Sequence, residues 1–230
     1  MERLPSAVIE VRSLTLARGG RTVLRGVDAR FERGRVSAVV GPSGAGKTSL
    51  LRCLNRLEEA EEGSVLLDGA DVRSLEPTAL RRRVGMIFQV PVLFPGGLRS
   101  NLTYGLNGVG TDKMTACLEA AGLSASFLER DSTALSVGQA QRACIARALV
   151  RDPEVLLMDE PTSSLDRDAA ARIESLVGSL AQNGLTIVVV THNLEQAQRV
   201  ASDALLLVDG RVVATGTPSE VEKMWPEGIT

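Results

Sequence analysis

The segment "GPSGAGKT", residues 41–48, decides the fold class of this 230-residue chain. It fits the pattern G-x-x-x-x-G-K-[ST], in which glycines let successive backbone N–H groups point at phosphate oxygens. The apolar run "RVSAVV" directly before it predicts a buried strand, and the leucine-rich "SLLRCLNRL" after it predicts a helix. A strand, a glycine-rich loop and a helix in this order predict a phosphate-binding loop in an α/β fold.

The loop and the serine after it supply candidate nucleotide-binding residues, which are Gly41, Pro42, Ser43, Gly44, Ala45, Gly46, Lys47, Thr48 and Ser49. The backbone N–H groups and the positive end of the helix would hold the phosphates. Lys47 would reach the β- and γ-phosphates, and Thr48 would offer its hydroxyl to Mg²⁺. The alternative is a glycine-rich turn that only caps the following helix. That helix is predicted from the helical spacing of Leu50, Leu51, Leu54 and Leu57.

Short apolar strands alternate with helical segments along the second half of the chain, as in "EVLLMDE" (154–160), "LTIVVV" (185–190) and "ALLLVDG" (204–210). This pattern predicts a parallel sheet covered on both faces. Residues 7–40 read as strands joined by turns, whereas residues 90–150 change to loop and helix. The chain is therefore predicted to be one domain over 1–230, with a core of 1–89 and 151–230 and a helical insert of 90–150.

Polar side chains follow several predicted strands of the core. Asp159 and Glu160 end "VLLMDE", His192 follows "LTIVVVT" and Gln89 follows "VGMIF". Ligands of an open α/β sheet bind at the carboxyl ends of its strands, so we expect these residues near the phosphate loop. There Asp159 would hold Mg²⁺ and Glu160 would polarise an attacking water.

His192, the only histidine, would contact the γ-phosphate, and Gln89 would sense that phosphate or a Mg²⁺-bound water and move the helical insert. Each of these residues also has a simpler interpretation. The carboxylates could be solvated charges at a strand end, the histidine a polar surface or core residue, and the glutamine a plain loop amide.

Composition excludes several classes of protein. The net charge of -2 and the aromatic content of 3% argue against a nucleic-acid-binding surface. The longest apolar runs fall far short of the roughly 18 residues of a membrane span. The N-terminal "MERLPSAVIE" predicts no export signal. Cys53, Cys117 and Cys144 have no metal-binding spacing and are predicted to be reduced, structural thiols of a cytosolic protein.

The segment "LSVGQ", residues 135–139, carries no acid, base or metal ligand of its own. Ser136 and Gln139 fit a capping box at the start of a helix, which is the local structural interpretation. A helix N-terminus with Gly138 exposed is also an anion site. The segment is therefore a candidate phosphate contact that lacks an obvious ligand within its own chain.

The sequence resembles the ATP-binding subunits of ABC transporters. "GPSGAGKT" matches the Walker A motif, Gln89 the Q-loop, "VLLMDE" the Walker B motif, "SSLD" with Asp166 the D-loop and His192 the H-loop. The signature motif of the family matches Leu135, Ser136, Val137, Gly138 and Gln139. The resemblance implies a P-loop NTPase core with a mixed, largely parallel sheet, an N-terminal antiparallel β subdomain and an inserted helical subdomain.

The same resemblance implies an ATPase that uses ATP and Mg²⁺. The implied catalytic residues are Glu160, His192, Gln89 and Lys47, and the implied metal-binding residues are Thr48, Gln89 and Asp159. Two subunits, identical or related, would pack head to tail, so that Ser136 and Gly138 complete the site of the partner. The subunit would lie in the cytoplasm on the inner face of the cell membrane, on a separate integral membrane permease and without nucleic acid.

The segment "VPVLFPGGLRSNLTYGL" (90–106) is the implied docking surface for that permease, with Phe94 and Tyr104 in contact with a cytoplasmic helix. Packing in the core of the insert is the alternative for both rings.

Segments of the sequence resemble ATP-binding subunits for phosphate import, and "LSVGQAQR" (135–142) also resembles a branch of the family linked to metal or nucleotide-sugar export. Rival classes are a soluble ABC ATPase that acts on nucleic acid or ribosomes, and a P-loop kinase, which would not need the signature motif or the D-loop.

Two positions depart from the family pattern. Val137 stands where the family usually has glycine, although Ser136 and Gly138 are kept. Arg18 stands where an aromatic residue usually stacks on adenine. A guanidinium group can stack on a flat base, so Arg18 is either a base-binding residue or a solvated turn residue.

Overall fold

The computed structural model describes residues 7–225. Its strands are β1 (Ala7–Arg18), β2 (Arg21–Glu32), β3 (Val36–Val40), β4 (Glu62–Leu67), β5 (Ala70–Asp71), β6 (Val84–Ile87), β7 (Val155–Asp159), β8 (Thr186–Thr191), β9 (Asp203–Val208) and β10 (Arg211–Gly216). Its helices are α1 (Lys47–Leu54), α2 (Pro77–Arg83), α3 (Leu98–Thr103), α4 (Thr111–Ala120), α5 (Val137–Leu149), α6 (Arg167–Gln182), α7 (Leu194–Val200) and α8 (Pro218–Glu222).

The strands form two sheets. The larger sheet has the order β10-β9-β3-β8-β7-β6, in which all neighbours are parallel except β10, which is antiparallel to β9. The smaller sheet has the order β2-β1-β4-β5 and is antiparallel throughout. This confirms the predicted α/β class, with a mixed, largely parallel sheet and an N-terminal antiparallel subdomain.

The apolar runs of the sequence form the centre of the larger sheet. Every residue of β3, β7 and β8 is buried. Val39 packs on the face toward the antiparallel sheet and α1, whereas Ala38 and Val40 pack on the face toward the helices. Because each buried valine or leucine contributes about 1.5–3 kcal/mol, these runs fix the strands whose carboxyl ends carry the candidate site.

Between residues 90 and 150 the described chain forms α3, α4, α5 and short 3₁₀ turns. Leu98, Leu102 and Leu118 are fully buried in the same apolar cluster as one face of the larger sheet. Helix α5 packs against β6 and α6, so the helical subdomain is attached to the core through its longest helix. The predicted strand before Gln89 ends two residues earlier, at Ile87.

The helix after the phosphate loop is shorter than its leucine spacing predicts. Helix α1 ends at Leu54, and Leu57 lies outside it and is exposed, so the prediction for Leu57 is wrong. Arg56 takes a φ of 56°, a left-handed conformation that ends a helix. The backbone N–H groups of Leu57 and Glu58 both donate to the carbonyl of Arg52, which turns the chain back on α1.

Four charged side chains join the two sheets at the amino ends of β6 and β7. Arg83 Nε lies 2.5 Å from Glu154 Oε1, and Arg83 Nη2 lies 2.6 Å from Asp68 Oδ2. Arg33 contacts the same two carboxylates, at 2.5 Å from Asp68 and 3.5 Å from Glu154. Because both arginines share both acids, this network ties the antiparallel subdomain to the core.

Glu154→Gln should lower the free energy of unfolding at pH 7 by about 1 kcal/mol, a value suited to a partly exposed pair. The hydrogen bond from Arg83 lowers the pKa of Glu154. Its stabilisation is therefore present above the pKa of about 4.3 in the unfolded chain, and is lost as the pH falls through the lower pKa of the folded state. Urea unfolding at pH 7 and at acidic pH measures both effects.

The matched control is Glu129→Gln, which breaks one exposed pair with Arg99. It should change stability much less at either pH. Equal losses for the two variants, or a Glu154→Gln protein with the pH dependence of the wild type, would contradict a stabilising role for the network.

Candidate functional site

The phosphate loop is held by the turn between β9 and β10. The backbone N–H of Gly210 donates to the carbonyl of Ala45 at 3.0 Å. Gly41 takes a φ of 150°, and a Cβ there would lie 2.0 Å from the carbonyl oxygen of Leu207. Only glycine fits this position, because any side chain would collide with the neighbouring backbone. The loop therefore has a fixed shape at the carboxyl end of β3.

Lys47 is the first residue of α1 and is buried. Its Nζ donates to the carbonyl oxygens of Gly41 at 2.7 Å and Pro42 at 2.8 Å. Burial lowers the pKa of the Lys47 ammonium, and the nearby carboxylates of Glu160 and Asp159 oppose that shift. The cation is thus held inside the loop, where phosphate oxygens could take over from the carbonyls.

Thr48 and Asp159 meet at the carboxyl end of β7. Thr48 Oγ1 donates to Asp159 Oδ1 at 2.9 Å, and Asp159 is buried. Burial raises the pKa of the Asp159 carboxyl, while the hydrogen bond from Thr48 lowers it and the charge of Glu160 raises it further. A cation beside the carboxylate would oppose the effect of burial on this pKa, because an opposite charge favours the ionised form.

Glu160 occupies a strained backbone position directly after β7. Its φ is 42°, which is uncommon for a residue other than glycine, asparagine or aspartate. Its N–H donates to the carbonyl of Val190, and its carbonyl accepts from the N–H of Ser163. Such strain persists only where the surrounding structure enforces it, and it clusters at functional sites.

The Glu160 carboxylate contacts side chains from two other loops. Its Oε2 lies 3.3 Å from His192 Nδ1 and accepts a hydrogen bond from Gln89 Nε2 at 3.4 Å. Gln89 Nε2 also donates to Ser163 Oγ at 3.2 Å. The structure therefore brings together the residues that follow β6, β7 and β8, as their strand-end positions predict.

A groove of about 260 Å³ runs along the phosphate loop. Glu160 lies at its wall, together with Ser43, Gly44, Gly46, Lys47, Thr48, Ser49 and Val23. Val23, in β2, is not predicted from the sequence, because an apolar residue in a strand gives no signal of ligand binding. Ser163 is predicted only as part of the motif "SSLD". Its contacts with Gln89 and Glu160 are not predicted, since they come from a turn that the sequence does not specify.

The segment 135–139 lies at the start of α5 in the helical subdomain. Ser136 Oγ accepts from the N–H of Gln139, and Gln139 Oε1 accepts from the N–H of Ser136. This confirms the predicted capping box. Val137 is half exposed, and Leu135 is partly buried against the apolar cluster. Among residues 7–225, no hydrogen bond joins this segment to the phosphate loop of the same chain.

The D-loop packs against the signature motif within the chain. Asp166 caps α6, since its Oδ1 accepts from the N–H of Ala169 at 2.8 Å. A Cβ at Gly138 would lie 3.2 Å from Ala169 Cβ and 3.8 Å from Leu165 Cδ2. Gly138 therefore allows α5 and the start of α6 to approach closely.

Arg18 ends β1 and is paired across the hairpin with Arg21. Its Nη2 lies 2.6 Å from Glu58 Oε1, and its side chain is 63% exposed. Arg18 is therefore a largely exposed residue beside the turn, with one ion-pair partner. Arg18 does not line the phosphate groove itself; Val23 does.

The donors around Lys47 suit Mg²⁺ bound together with phosphates. Within the described part of the chain, no group of three or more His, Cys, Asp or Glu side chains could hold a metal ion alone. Mg²⁺ is usually bound through one or two carboxylates and substrate phosphates, with waters completing its shell. The Thr48 hydroxyl and the Asp159 carboxylate, 2.9 Å apart, fit that mode.

A second groove, of about 440 Å³, lies between the core and the helical subdomain. The rings of Phe94 and Tyr104 stack there with centroids 4.3 Å apart, and they remain 42% and 58% exposed. Four arginines line the same groove, which are Arg81, Arg82, Arg147 and Arg151. The two rings therefore pack on each other within the insert and also remain exposed at the surface.

Two further expectations concern the cysteines and membrane spans. Cys53, Cys117 and Cys144 are free thiols in α1, α4 and α5. Burial raises the pKa of the Cys53 thiol to about 12, which keeps it protonated. Across residues 7–225, every helix is too short or too polar to cross a membrane.

The sequence matches the ABC transporter family over residues 24–163. ABC transporter I family member 17 of Arabidopsis thaliana is 46% identical over 219 residues, which cover 93% of this chain and 83% of that protein. Phosphate import ATP-binding protein PstB 3 of Natronomonas pharaonis is 39% identical over 221 residues, which cover 90% of this chain and 80% of that protein.

Among solved structures, cbiO1 from Clostridium perfringens is described as part of the ABC transporter complex cbiONQ. It superposes with a TM-score of 0.87 at 27% identity, over 95% of this chain and 91% of that chain. The family match spans more than half of the sequence, and the relatives align over nearly all of it. The chain therefore belongs to the ABC transporter family, as an ATP-binding subunit.

Proposed function

We propose that the chain hydrolyses Mg-ATP to power transport, as a head-to-tail dimer on a separate integral membrane permease. One observation carries the proposal. Lys47, Thr48 and Glu160 line one groove and Asp159 bonds to Thr48 beside it, whereas among the described residues the signature helix makes no hydrogen bond to that groove. A complete site would then need the signature of a second subunit, identical or related.

The residues divide the chemistry of hydrolysis among them. Lys47 and the loop N–H groups would bind the phosphates and stabilise negative charge on the γ-phosphate. Thr48, Asp159 and Gln89 would hold Mg²⁺, which supplies further charge neutralisation when bound. Glu160 would take a proton from the attacking water at a carboxylate oxygen, while His192 and Gln89 orient that carboxylate.

The dimer would be completed by Ser136 and Gly138 at the start of α5. A helix N-terminus is positive and favours an anion, so this end suits the γ-phosphate held by the partner. Val137 is half exposed beside them and leaves the cap intact. ATP would then link the two subunits, and its hydrolysis would remove the shared phosphate and let them separate.

The groove at Phe94 and Tyr104 would receive a cytoplasmic helix of the permease, which would place the subunit on the inner face of the cell membrane. Exposed aromatic side chains beside a groove are typical of interaction sites.

The name of the Natronomonas relative supports phosphate as the transported substrate. Export of a metal or a nucleotide sugar is the other substrate class that the sequence resembles, and the identity of the permease would decide between them.

Purification of the tagged chain from its native membranes should recover a stoichiometric polytopic membrane protein. The double variant Phe94→Ala/Tyr104→Ala should lose that protein, because truncation of buried interface aromatics often costs 2 kcal/mol or more, about 30-fold in affinity. Quantitative mass spectrometry of the recovered proteins measures the loss.

The matched control is Val213→Ala, which truncates an exposed apolar residue on β10. It should keep the membrane protein. Recovery of only soluble or ribosomal partners by the wild type would contradict the transporter proposal, and equal recovery by the double variant would contradict the docking site.

A further inference from the structure

We propose that Gln196 is a positioning residue, which holds Glu160 and His192 in place relative to each other through a buried hydrogen-bonded bridge. This inference rests on the proposed hydrolysis of ATP and names a residue that the reaction would need outside the phosphate groove. Gln196 lies in the first turn of α7 and is only 6% exposed. Its burial calls for a reason, because glutamine is mostly a surface residue.

The side-chain amide of Gln196 joins two loops. Its Oε1 accepts from Thr191 Oγ1 at 2.7 Å, and its Nε2 donates to Thr162 Oγ1 at 2.7 Å. Thr191 directly precedes His192, and Thr162 is two residues beyond Glu160. One amide group therefore connects the loops that follow β7 and β8, close in the chain to both residues of the proposed chemistry.

The orientation of the amide follows from the bonds around it. Thr191 Oγ1 already accepts from the N–H of Asn193 at 3.0 Å, so its own hydrogen needs an acceptor. The Gln196 oxygen supplies that acceptor, whereas the amide nitrogen, which is a donor, could not. The N–H of Gln196 donates in turn to Asn193 Oδ1 at 2.9 Å. Gln196 is thus fixed to the loop of His192 by its backbone and by its side chain.

Packing alone does not hold these loops. A cavity of about 190 Å³ lies against them, and its walls include Glu160, Thr162, Thr191, His192 and Gln196. Side chains that face a cavity have no contacting atoms on that side, so hydrogen bonds have to set their positions. The φ of Glu160 is 42°, and strain of this kind persists only where the surrounding structure enforces it. The bridge to Thr162 is one of the contacts that enforce it.

The bridge bears on the contact that the proposed chemistry uses. Glu160 Oε2 lies 3.3 Å from His192 Nδ1. The bond from the N–H of Glu160 to the carbonyl of Val190 fixes the chain up to Glu160, and the bridge fixes the turn beyond it. A misplacement of 1 Å can cost about 10²-fold in rate. Because Gln196 does not line the phosphate groove, its loss should affect turnover rather than ATP binding.

Gln196→Met tests the bridge, because methionine is unbranched and fills similar space without an amide. It should lower kcat by about 10- to 100-fold and leave KM and the affinity for ATP unchanged. Thr162→Val removes the other end of the bridge and keeps its shape, so kcat should fall in the same way. Thr162→Ser keeps the hydroxyl and should retain the rate that Thr162→Val loses. Phosphate release and calorimetric titration with ATP measure the two properties.

The matched control is Gln198→Met, which makes the same change two residues along α7. Gln198 is exposed and donates to Glu222 at the surface, so kcat should stay at the wild-type value. The decisive comparison is the Glu160→Gln background, in which no carboxylate remains to be positioned. Adding Gln196→Met there should not lower the single-turnover rate further.

A loss by the same factor in the Glu160→Gln background, or a weaker affinity for ATP, would show a general structural role and overturn the proposal. A Gln196→Met protein with the kcat of the wild type, or a Thr162→Ser protein as slow as Thr162→Val, would overturn it too. If Gln196→Met does not fold, the two Thr162 variants make the same comparison in both backgrounds. A wild type that does not hydrolyse Mg-ATP would instead contradict the proposed function.

Discussion

Glu160→Gln should lower ATP turnover by about 10²- to 10⁴-fold, the range typical of a lost general base. Glutamine has the shape of the carboxylate and can keep the contacts with His192 and Gln89. It cannot accept the proton of the attacking water. Binding of Mg-ATP should be retained, because Lys47, Thr48 and Asp159 are untouched.

The same variant should accumulate as an ATP-bound dimer. A ligand that is bound but not consumed stabilises the state that binds it, and in the proposed function that state is the closed dimer. Light scattering with chromatography in Mg-ATP measures the mass, and phosphate release measures the turnover. A variant that stays monomeric with ATP, under conditions where turnover has stopped, would contradict the sharing of sites.

Glu174→Gln is the matched control. Glu174 is a carboxylate that pairs with Arg199 at 2.7 Å, on the helix that follows the D-loop. It lies near Glu160 in the fold but has no role in the proposed chemistry. Its substitution should leave turnover near that of the wild type, which separates loss of the base from loss of a nearby charge.

The strand ends of the core can be predicted from sequence because their signals are local. A buried apolar run fixes each strand, and the residue after it must emerge at the carboxyl edge of the sheet. Glu160 and His192 follow this rule. The same rule does not predict the positions of Leu57 and Val23. The position of Leu57 depends on where α1 ends, and that of Val23 depends on which strand lies beside the phosphate loop.

Long-range pairings are also beyond the sequence. Arg83 and Glu154 are 71 residues apart, and Arg18 and Glu58 are 40 residues apart. Charged residues are common on surfaces, so nothing local shows which of them pair. The proposed role of the signature residues differs from these pairings, because it concerns a contact between two subunits, and the contacts within one chain do not include it.

Ser136→Ala should lower turnover about 10²-fold, as expected for the loss of one donor to the transition state. It should leave the ATP affinity of the monomer nearly unchanged, since Ser136 makes no contact with its own phosphate loop among the described residues. Loss of the cap on α5 should also cost about 1 kcal/mol of stability. Ser136→Asp keeps a good cap but places a negative charge beside the γ-phosphate, so turnover should fall at least as far without that loss of stability.

The control for the cap is Thr217→Ala, because Thr217 and Glu220 form the same capping box at the start of α8. It should reduce stability similarly and leave turnover intact. Mixing Ser136→Asp with Lys47→Ala then tests the sharing directly. In a head-to-tail dimer of the two, one site has an intact Lys47 and an intact Ser136 from opposite chains, so activity should return. If Ser136 served its own chain, every site would carry one defect and the mixture would stay inactive.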